Sequence, residues 1–279
     1  MGSNLVSTAW LAEHLGHAGL RVLDASWYLD AGGRDAAAEF AGAHIPGAAR
    51  FDPSAAAAPG APWPHTLPPQ DHFARYAGAL GLAEADVLVV YDDAGLAPAA
   101  RAWWMFKVFG HQAVHVLDGG LGKWRREGRA LASGADPVRH ATAYGVHFDR
   151  RWFADFEAVG HASHAGRQIA DARPAARFSG AAAEPRPDLR RGHIPNSRSV
   201  PCTSLVDAAS GTFLPRQALA DTFARGGIDT RRPVICSCGS GVTACVLALA
   251  LDELDNPAVA VYDGSWTEWA TRTPTAAGA

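Results

Sequence analysis

The chain has 279 residues, 48% of them hydrophobic, and a net charge of -3. That length is enough for two domains with substantial cores, and the slightly acidic balance excludes a protein organised around a basic nucleic-acid-binding surface. Uninterrupted apolar runs stop at about ten residues, too short to cross a bilayer. Met1-Gly2-Ser3-Asn4 lacks the basic-then-apolar pattern of a secretory signal. Cys202, Cys236, Cys238 and Cys245 all fall in the second half, unlike the spread of a disulfide framework. No second cysteine or histidine pair at ligand spacing accompanies Cys236-Ser237-Cys238, so no metal site is expected. The expectation is a reduced, cytoplasmic protein.

In chain order, Arg21-Val22-Leu23-Asp24 reads as a short buried strand. Asp71 to Leu80 has helical spacing, Val87 to Tyr91 reads as a second strand, and Ala100 to Phe109, with Trp103, Trp104 and Phe106, reads as a second helix. A polar, weakly periodic stretch follows from about Ser133 to Asp149, and then the pattern repeats. Leu23-Asp24-Ala25 is answered by Ala170-Asp171-Ala172, and His44-Ile45-Pro46 by His193-Ile194-Pro195. Val87 to Asp92 is answered by Pro233 to Cys238, and Leu117-Asp118-Gly119-Gly120 by Tyr262-Asp263-Gly264-Ser265. The offsets all lie between 145 and 149 residues in unbroken order, which marks a duplicated domain rather than a short-period solenoid. The expected division is 1–135 and 150–279 with a linker over 136–149. Valine-rich strands without polar alternation fit parallel sheets covered by helices on both faces, hence an α/β fold.

The chemistry concentrates at Cys238-Gly239-Ser240-Gly241-Val242-Thr243-Ala244. The apolar run Pro233 to Cys236 before it reads as a strand, and the run from Cys245 to Leu251 as a helix opening near Val242 or Thr243. A cysteine thus stands at the carboxyl end of a parallel strand, where function collects in such sheets. Gly239 and Gly241 free the backbone to turn. The open amides and helix dipole over Gly239 to Thr243 favour an anion there, and a thiolate is such an anion. The counterpart in the first copy is Asp92, which cannot do thiol chemistry, so one domain is expected to be catalytic and its twin silent.

Two tandem units with His-Ile-Pro, Asp-Gly-Gly or Asp-Gly-Ser, and a cysteine loop in the second resemble the rhodanese superfamily of sulfurtransferases over nearly the whole chain. The resemblance implies two rhodanese-like domains, each a parallel sheet flanked by helices, with the site in the cleft between them. The loop itself is similar to that of 3-mercaptopyruvate sulfurtransferases, whereas thiosulfate sulfurtransferases have a basic Cys-Arg-Lys-Gly loop. Thiosulfate is a dianion, and each like-charge pair at close range costs roughly 4 kcal/mol at an effective dielectric near 20. Gly239 and Ser240 supply no compensating cation. By the same resemblance, Arg177 and Arg186, nine residues apart, hold the carboxylate and keto oxygen of the donor, a task that suits guanidinium forks. His65 would enter a relay with Ser240 and an aspartate. Here the chain departs from its relatives, because Phe51-Asp52-Pro53-Ser54 places Ser54 where the relay aspartate belongs.

These readings imply transfer of sulfur from 3-mercaptopyruvate through a persulfide on Cys238 to a thiol acceptor, such as a thioredoxin-like protein, or to cyanide, with no cofactor. Thiosulfate:cyanide transfer is the alternative within the class. A cysteine-loop phosphatase needs an arginine six residues after the cysteine, where this chain has Ala244. A non-catalytic binding module would leave the Cys238 thiol inert. His44, His193, Asp118 and Asp263 recur in both copies and are expected to be structural, Trp266 to be core, and Arg190, Arg191 and Arg198 to be solvated.

Overall fold

A computed structural model describes residues 3–28, 32–135 and 139–273. The first copy contains β1 (Leu5–Val6), α1 (Thr8–His14), β2 (Leu20–Asp24), α2 (Ala36–Gly42), β3 (Ala49–Arg50), α3 (Gln70–Ala79), β4 (Val87–Tyr91), α4 (Ala97–Val108), β5 (Val114–Leu117) and α5 (Gly120–Arg126). The second contains β6 (Phe153–Ala154), α6 (Phe156–His164), β7 (Gln168–Asp171), α7 (Ala175–Phe178), β8 (Arg198–Ser199), α8 (Arg216–Arg225), β9 (Val234–Ser237), α9 (Ala244–Glu253), β10 (Val259–Tyr262) and α10 (Ser265–Arg272). Each builds a five-stranded parallel sheet, in the orders β1-β5-β4-β2-β3 and β6-β10-β9-β7-β8, so the second repeats the first strand for strand. The α/β fold expected from the valine-rich runs is the fold observed. Among the described residues, no helix is long and apolar enough to cross a membrane.

The central strand of each sheet carries apolar residues on both faces, as Val89 and Val90 of β4, both fully buried, illustrate. Covering helices are correspondingly apolar: Ala244 to Leu251 of α9 are all buried. Helix α4 opens three residues earlier than the aromatic spacing suggests, because Pro98 is well tolerated in a first turn, where its missing N–H is not needed.

The duplication extends to individual hydrogen bonds. Ala25 N donates to Tyr91 O at 2.8 Å, and Ala172 N to Ser237 O at 2.8 Å. Leu121 N donates to Asp92 O, and Trp266 N to Cys238 O, both at 3.0 Å. His44 stacks on Phe40 with its Nδ1 2.7 Å from Phe40 O, and His193 stacks on Phe178 with Nδ1 2.9 Å from Phe178 O. Both histidines therefore serve packing, as their recurrence suggested. Asp118 likewise serves a backbone, accepting from Phe213 N at 2.9 Å.

The chain divides into two compact units, one comprising Met1–Pro59, Leu67–Asp149 and Asp207–Phe213, the other Gly60–Thr66, Arg150–Val206 and Leu214–Ala279. Of the segment expected as a linker, 136–138 lie outside the described residues. The remainder has no helix or strand up to Asp149, yet it is bonded along the first unit through Thr142 N to Gly78 O, His147 N to Phe109 O and Asp149 N to Val108 O. A side chain at Gly78 would place its Cβ 2.4 Å from Thr142 O, which accounts for glycine at that close approach.

In the first unit, the turn after β4 closes on its own side chain. The buried Asp92 carboxylate accepts from the N–H groups of Ala94 (2.8 Å), Leu96 (3.0 Å) and Ala99 (2.8 Å). Burial pushes its pKa up, and the three N–H donors oppose that rise. Asp92→Ala strands these donors, and its expected net cost is about 2–4 kcal/mol. Thermal unfolding should register that as a fall of roughly 5–15 °C in the midpoint, and an unchanged midpoint would contradict the role given to the carboxylate.

Candidate active site

Cys238 follows β9 directly, and the loop ends at Thr243, the N-cap of α9. The expected strand, turn and helix are present, with the helix beginning one residue after Thr243. Cys238 is 2% exposed and Ser240 7%. Gly241 adopts φ 76°, a left-handed conformation that favours glycine. Among the described residues, the N–H groups of Gly239, Ser240, Val242 and Thr243 and the hydroxyls of Ser240 and Thr243 have no hydrogen-bond partner. Register makes Ser240 and Val242 the counterparts of Ala94 and Leu96, whose amides bind the Asp92 carboxylate. The loop around Cys238 is thus built like one that holds an anion at the first position of its turn. In place of a carboxylate it carries a thiol.

The loop is tied to the start of α10. Ser265, fully buried, accepts from Cys238 N and Gly241 N at 3.1 Å each, donates to Tyr262 O at 2.7 Å, and lies 3.9 Å from Cys238 Sγ. Thr267 bonds Gly239 O twice, through its N–H (3.0 Å) and its Oγ1 (2.7 Å). Neither residue was singled out from the sequence. The signal was available in the repeat, where Gly120 of the first copy becomes Ser265 in the second. Gly120 has φ 54° and Ser265 φ 50°, so a strained backbone is kept while a hydroxyl is added beneath the cysteine.

Arg177 stands on the short α7 beside the loop: a Cβ on Gly239 would lie 3.0 Å from its Nη2. The same Nη2 donates to the buried Glu184 carboxylate. Arg186 reaches Thr267 Oγ1 at 3.4 Å, the one hydrogen bond of its side chain among the described residues. Burial first, and then the Arg177 charge, lower the Arg186 pKa, while Glu184 and Cys238 oppose the fall. Of the two arginines named from the sequence, Arg177 lies against the loop with a carboxylate counter-ion, whereas Arg186 reaches Thr267, itself bonded to Gly239 O, and has no carboxylate partner among the described residues.

The relay is less complete. His65 is half-buried, with φ 60°, in the segment Gly60–Thr66 that groups with the second unit. Trp63 and Thr66 of that segment line a cavity of about 190 Å³ with Asp263 and Gly264, next to Ser265. The Ser240 hydroxyl has no partner among the described residues, so it makes no bond to His65 here. Ser54 is exposed, and the neighbouring Asp52 carboxylate is engaged by Arg50 (3.0 Å) and the N–H groups of Ser54 (2.9 Å) and Ala55 (3.4 Å).

None of the four cysteines is in a disulfide. Burial, followed by the charge of Cys238, pushes the Cys202 thiol up to about 11, and burial also pushes the Cys236 thiol well up. Trp266 is core, flanked by the guanidinium groups of Arg173 (5.1 Å) and Arg190 (5.0 Å). Arg190 is the one arginine of its group that departs from the expected solvated state. Its Nε donates to Ala270 O at 3.2 Å and its Nη2 to Thr273 Oγ1, because Trp266 draws it inward. Arg191 and Arg198 are exposed, as expected.

Two matches to the rhodanese-like domain, over residues 7–127 and 156–272, cover most of the chain. The chain belongs to the rhodanese family. It is 42% identical over 275 residues to human 3-mercaptopyruvate sulfurtransferase, spanning 96% of this chain and 92% of the human one. It is 39% identical over 292 residues to the mitochondrial thiosulfate/3-mercaptopyruvate sulfurtransferase 1 of Arabidopsis thaliana, covering 96% and 76% of the two chains. The crystal structure of SseA from Escherichia coli, described as a 3-mercaptopyruvate sulfotransferase, aligns with a TM-score of 0.86 at 39% identity over 95% of this chain and 99% of that one.

Ser265→Gly tests the support beneath the loop. Glycine suits the backbone at φ 50°, so the change removes the hydroxyl without adding strain and leaves two buried amides unpaired, at about 1–3 kcal/mol each. Alkylation of Cys238 by iodoacetamide is expected to change rate by at least about fivefold, roughly 1 kcal/mol; an unaltered rate would show that Ser265 does not shape the loop.

Proposed function

We propose that the chain is a sulfurtransferase that moves sulfur from 3-mercaptopyruvate to an acceptor through a persulfide on Cys238. The observation that carries this reading is the replacement of an amide-bound carboxylate, Asp92, by a cysteine whose corresponding amides are open. Those amides, the Ser240 and Thr243 hydroxyls and the α9 N-terminus favour negative charge on Cys238 and on a sulfur added to it. Gly239 and Gly241 let the backbone come close enough to do so.

In the first half-reaction, the Cys238 thiolate attacks the sulfur of 3-mercaptopyruvate. The S–S bond forms as the donor's C–S bond breaks, and that electron pair leaves on pyruvate as its enolate, which takes a proton to become pyruvate. Arg177 and Arg186 bind the donor's carboxylate and keto oxygen, and the charge growing on the keto oxygen strengthens that contact in the transition state. In the second half-reaction, a thiolate, such as that of a thioredoxin-like protein, or cyanide attacks the outer sulfur, and Cys238 departs as thiolate. In this reading His65, with Ser240, gives the enolate its proton. No cofactor enters either step. The cycle needs Cys238 as a free thiol, which fits a reducing compartment such as the cytoplasm.

Incubation with 3-mercaptopyruvate alone should add one sulfur atom to Cys238, read by mass spectrometry of the peptide. Cys238→Ser should abolish transfer, while Cys202→Ser and Cys236→Ser, whose thiols burial keeps protonated, should retain most of it. With a common thiol acceptor, kcat/KM for 3-mercaptopyruvate should exceed that for thiosulfate by at least about tenfold, or 1.4 kcal/mol. Equal use of the two donors would favour the broader specificity named for the Arabidopsis relative, and a persulfide formed on another cysteine would remove Cys238 from the reaction.

A further inference from the structure

We propose that Glu184 is a positioning residue for sulfur transfer: its buried carboxylate fixes the Arg177 guanidinium against Gly239 at the rim of the Cys238 loop. This rests on the reading of Arg177 as a donor-binding residue. Glu184 lies in Glu184-Pro185-Arg186, a setting that in sequence looks like an exposed loop, yet its side chain is 1% exposed. One carboxylate oxygen accepts from Arg173 Nη1 at 2.7 Å and the other from Arg177 Nη2.

Arg173 is immobile in turn. Its Nε lies 3.0 and 3.1 Å from the two Asp171 oxygens, and its Nη2 donates to Asp171 Oδ2 (2.7 Å) and Gly192 O (2.9 Å). Asp171 is the last residue of β7 and pairs in register with Ser237, the residue before Cys238. The sheet therefore fixes Asp171, Asp171 fixes Arg173, and Arg173 fixes Glu184. Glu184 then holds the end of a side chain that would otherwise sample many rotamers from a four-residue helix. The guanidinium it holds crowds the position of a Cβ on Gly239, which would lie 3.0 Å from Nη2. Its Nε is buried without a partner, which leaves a donor uncommitted beside the loop. A purely structural ion pair would need only Arg173 and Asp171; the second oxygen of Glu184 is spent on Arg177.

A double-mutant cycle between Glu184→Asp and Gly239→Ala tests the assignment. Aspartate keeps the buried charge, so Arg173 stays compensated, but it is one methylene too short to span both guanidinium groups. Two readouts are taken on all four proteins: steady-state kinetics with 3-mercaptopyruvate, and the ratio of Cys238 alkylation by iodoacetate to that by iodoacetamide, which reports a positioned cation without any sulfur transfer. Gly239→Ala alone should lower kcat/KM about tenfold, because its Cβ meets a guanidinium that cannot yield, and less than about threefold once Glu184→Asp has released Arg177. Glu184→Asp alone should raise KM about fivefold with little change in kcat and should lower the alkylation ratio. Glu184→Gln, isosteric but left with one acceptor oxygen, is the second variant and carries the same expectation. Additive effects of the two substitutions, or an unchanged KM and alkylation ratio in the Glu184 variants, would overturn the proposal. If the parent protein failed to turn over 3-mercaptopyruvate, the functional reading would fall while the alkylation ratio would still decide the role of Glu184.

Discussion

A parallel strand that ends in a turn and a helix leaves a set of backbone N–H groups without intrahelical partners, and those groups demand negative charge or an acceptor. Both halves of this chain face that demand in the same place, because both sheets have the same strand order and the same registers. In the first half the demand is met internally, by Asp92 accepting from three amides. In the second half a cysteine stands at that position, Ser265 takes two of the loop's amides, and four more have no partner among the described residues. The left-handed Gly241 and the bonds of Ser265 and Thr267 hold the loop in that form.

The charges beside the loop are unequal. Arg177 is neutralised by Glu184, which is itself balanced against Arg173 and Asp171. Arg186 has one long bond to a hydroxyl and no carboxylate partner among the described residues. A monoanionic donor supplies about the charge that this arrangement lacks. The bare Gly239 gains a second explanation at the same time. From sequence, its neutrality argued against a dianionic donor; in the structure, it is also the position where a Cβ would crowd Arg177 Nη2 at 3.0 Å.

Much of this was legible in the sequence for identifiable reasons. Strands buried on both faces read as uninterrupted valine-rich runs, so β2, β4 and β9 were evident, and the two copies of each motif revealed the duplication and the cysteine loop. What escaped were contacts between residues far apart in sequence. Glu184 and Arg173 form a buried pair eleven residues apart, and Ser265 lies 27 residues beyond the cysteine it supports. Neither relation leaves a periodic trace. Arg190 was misread because a lone arginine in a polar stretch gives no sign that a tryptophan at 266 will draw it inward. The relay is the part that sequence resemblance describes more fully than the structure: Ser54 is exposed, Asp52 is engaged elsewhere, and the Ser240 hydroxyl has no partner among the described residues.

The central claim is that the open amides of the Cys238 loop exist to hold a transferred sulfur. A high-resolution crystal structure of the protein after reaction with 3-mercaptopyruvate tests it most directly. The account predicts an outer sulfur on Cys238 within hydrogen-bonding distance of the Ser240 and Val242 N–H groups, the counterparts of those that hold the Asp92 carboxylate. An outer sulfur turned away from the loop, with those amides left unpaired or bonded to water, would contradict it.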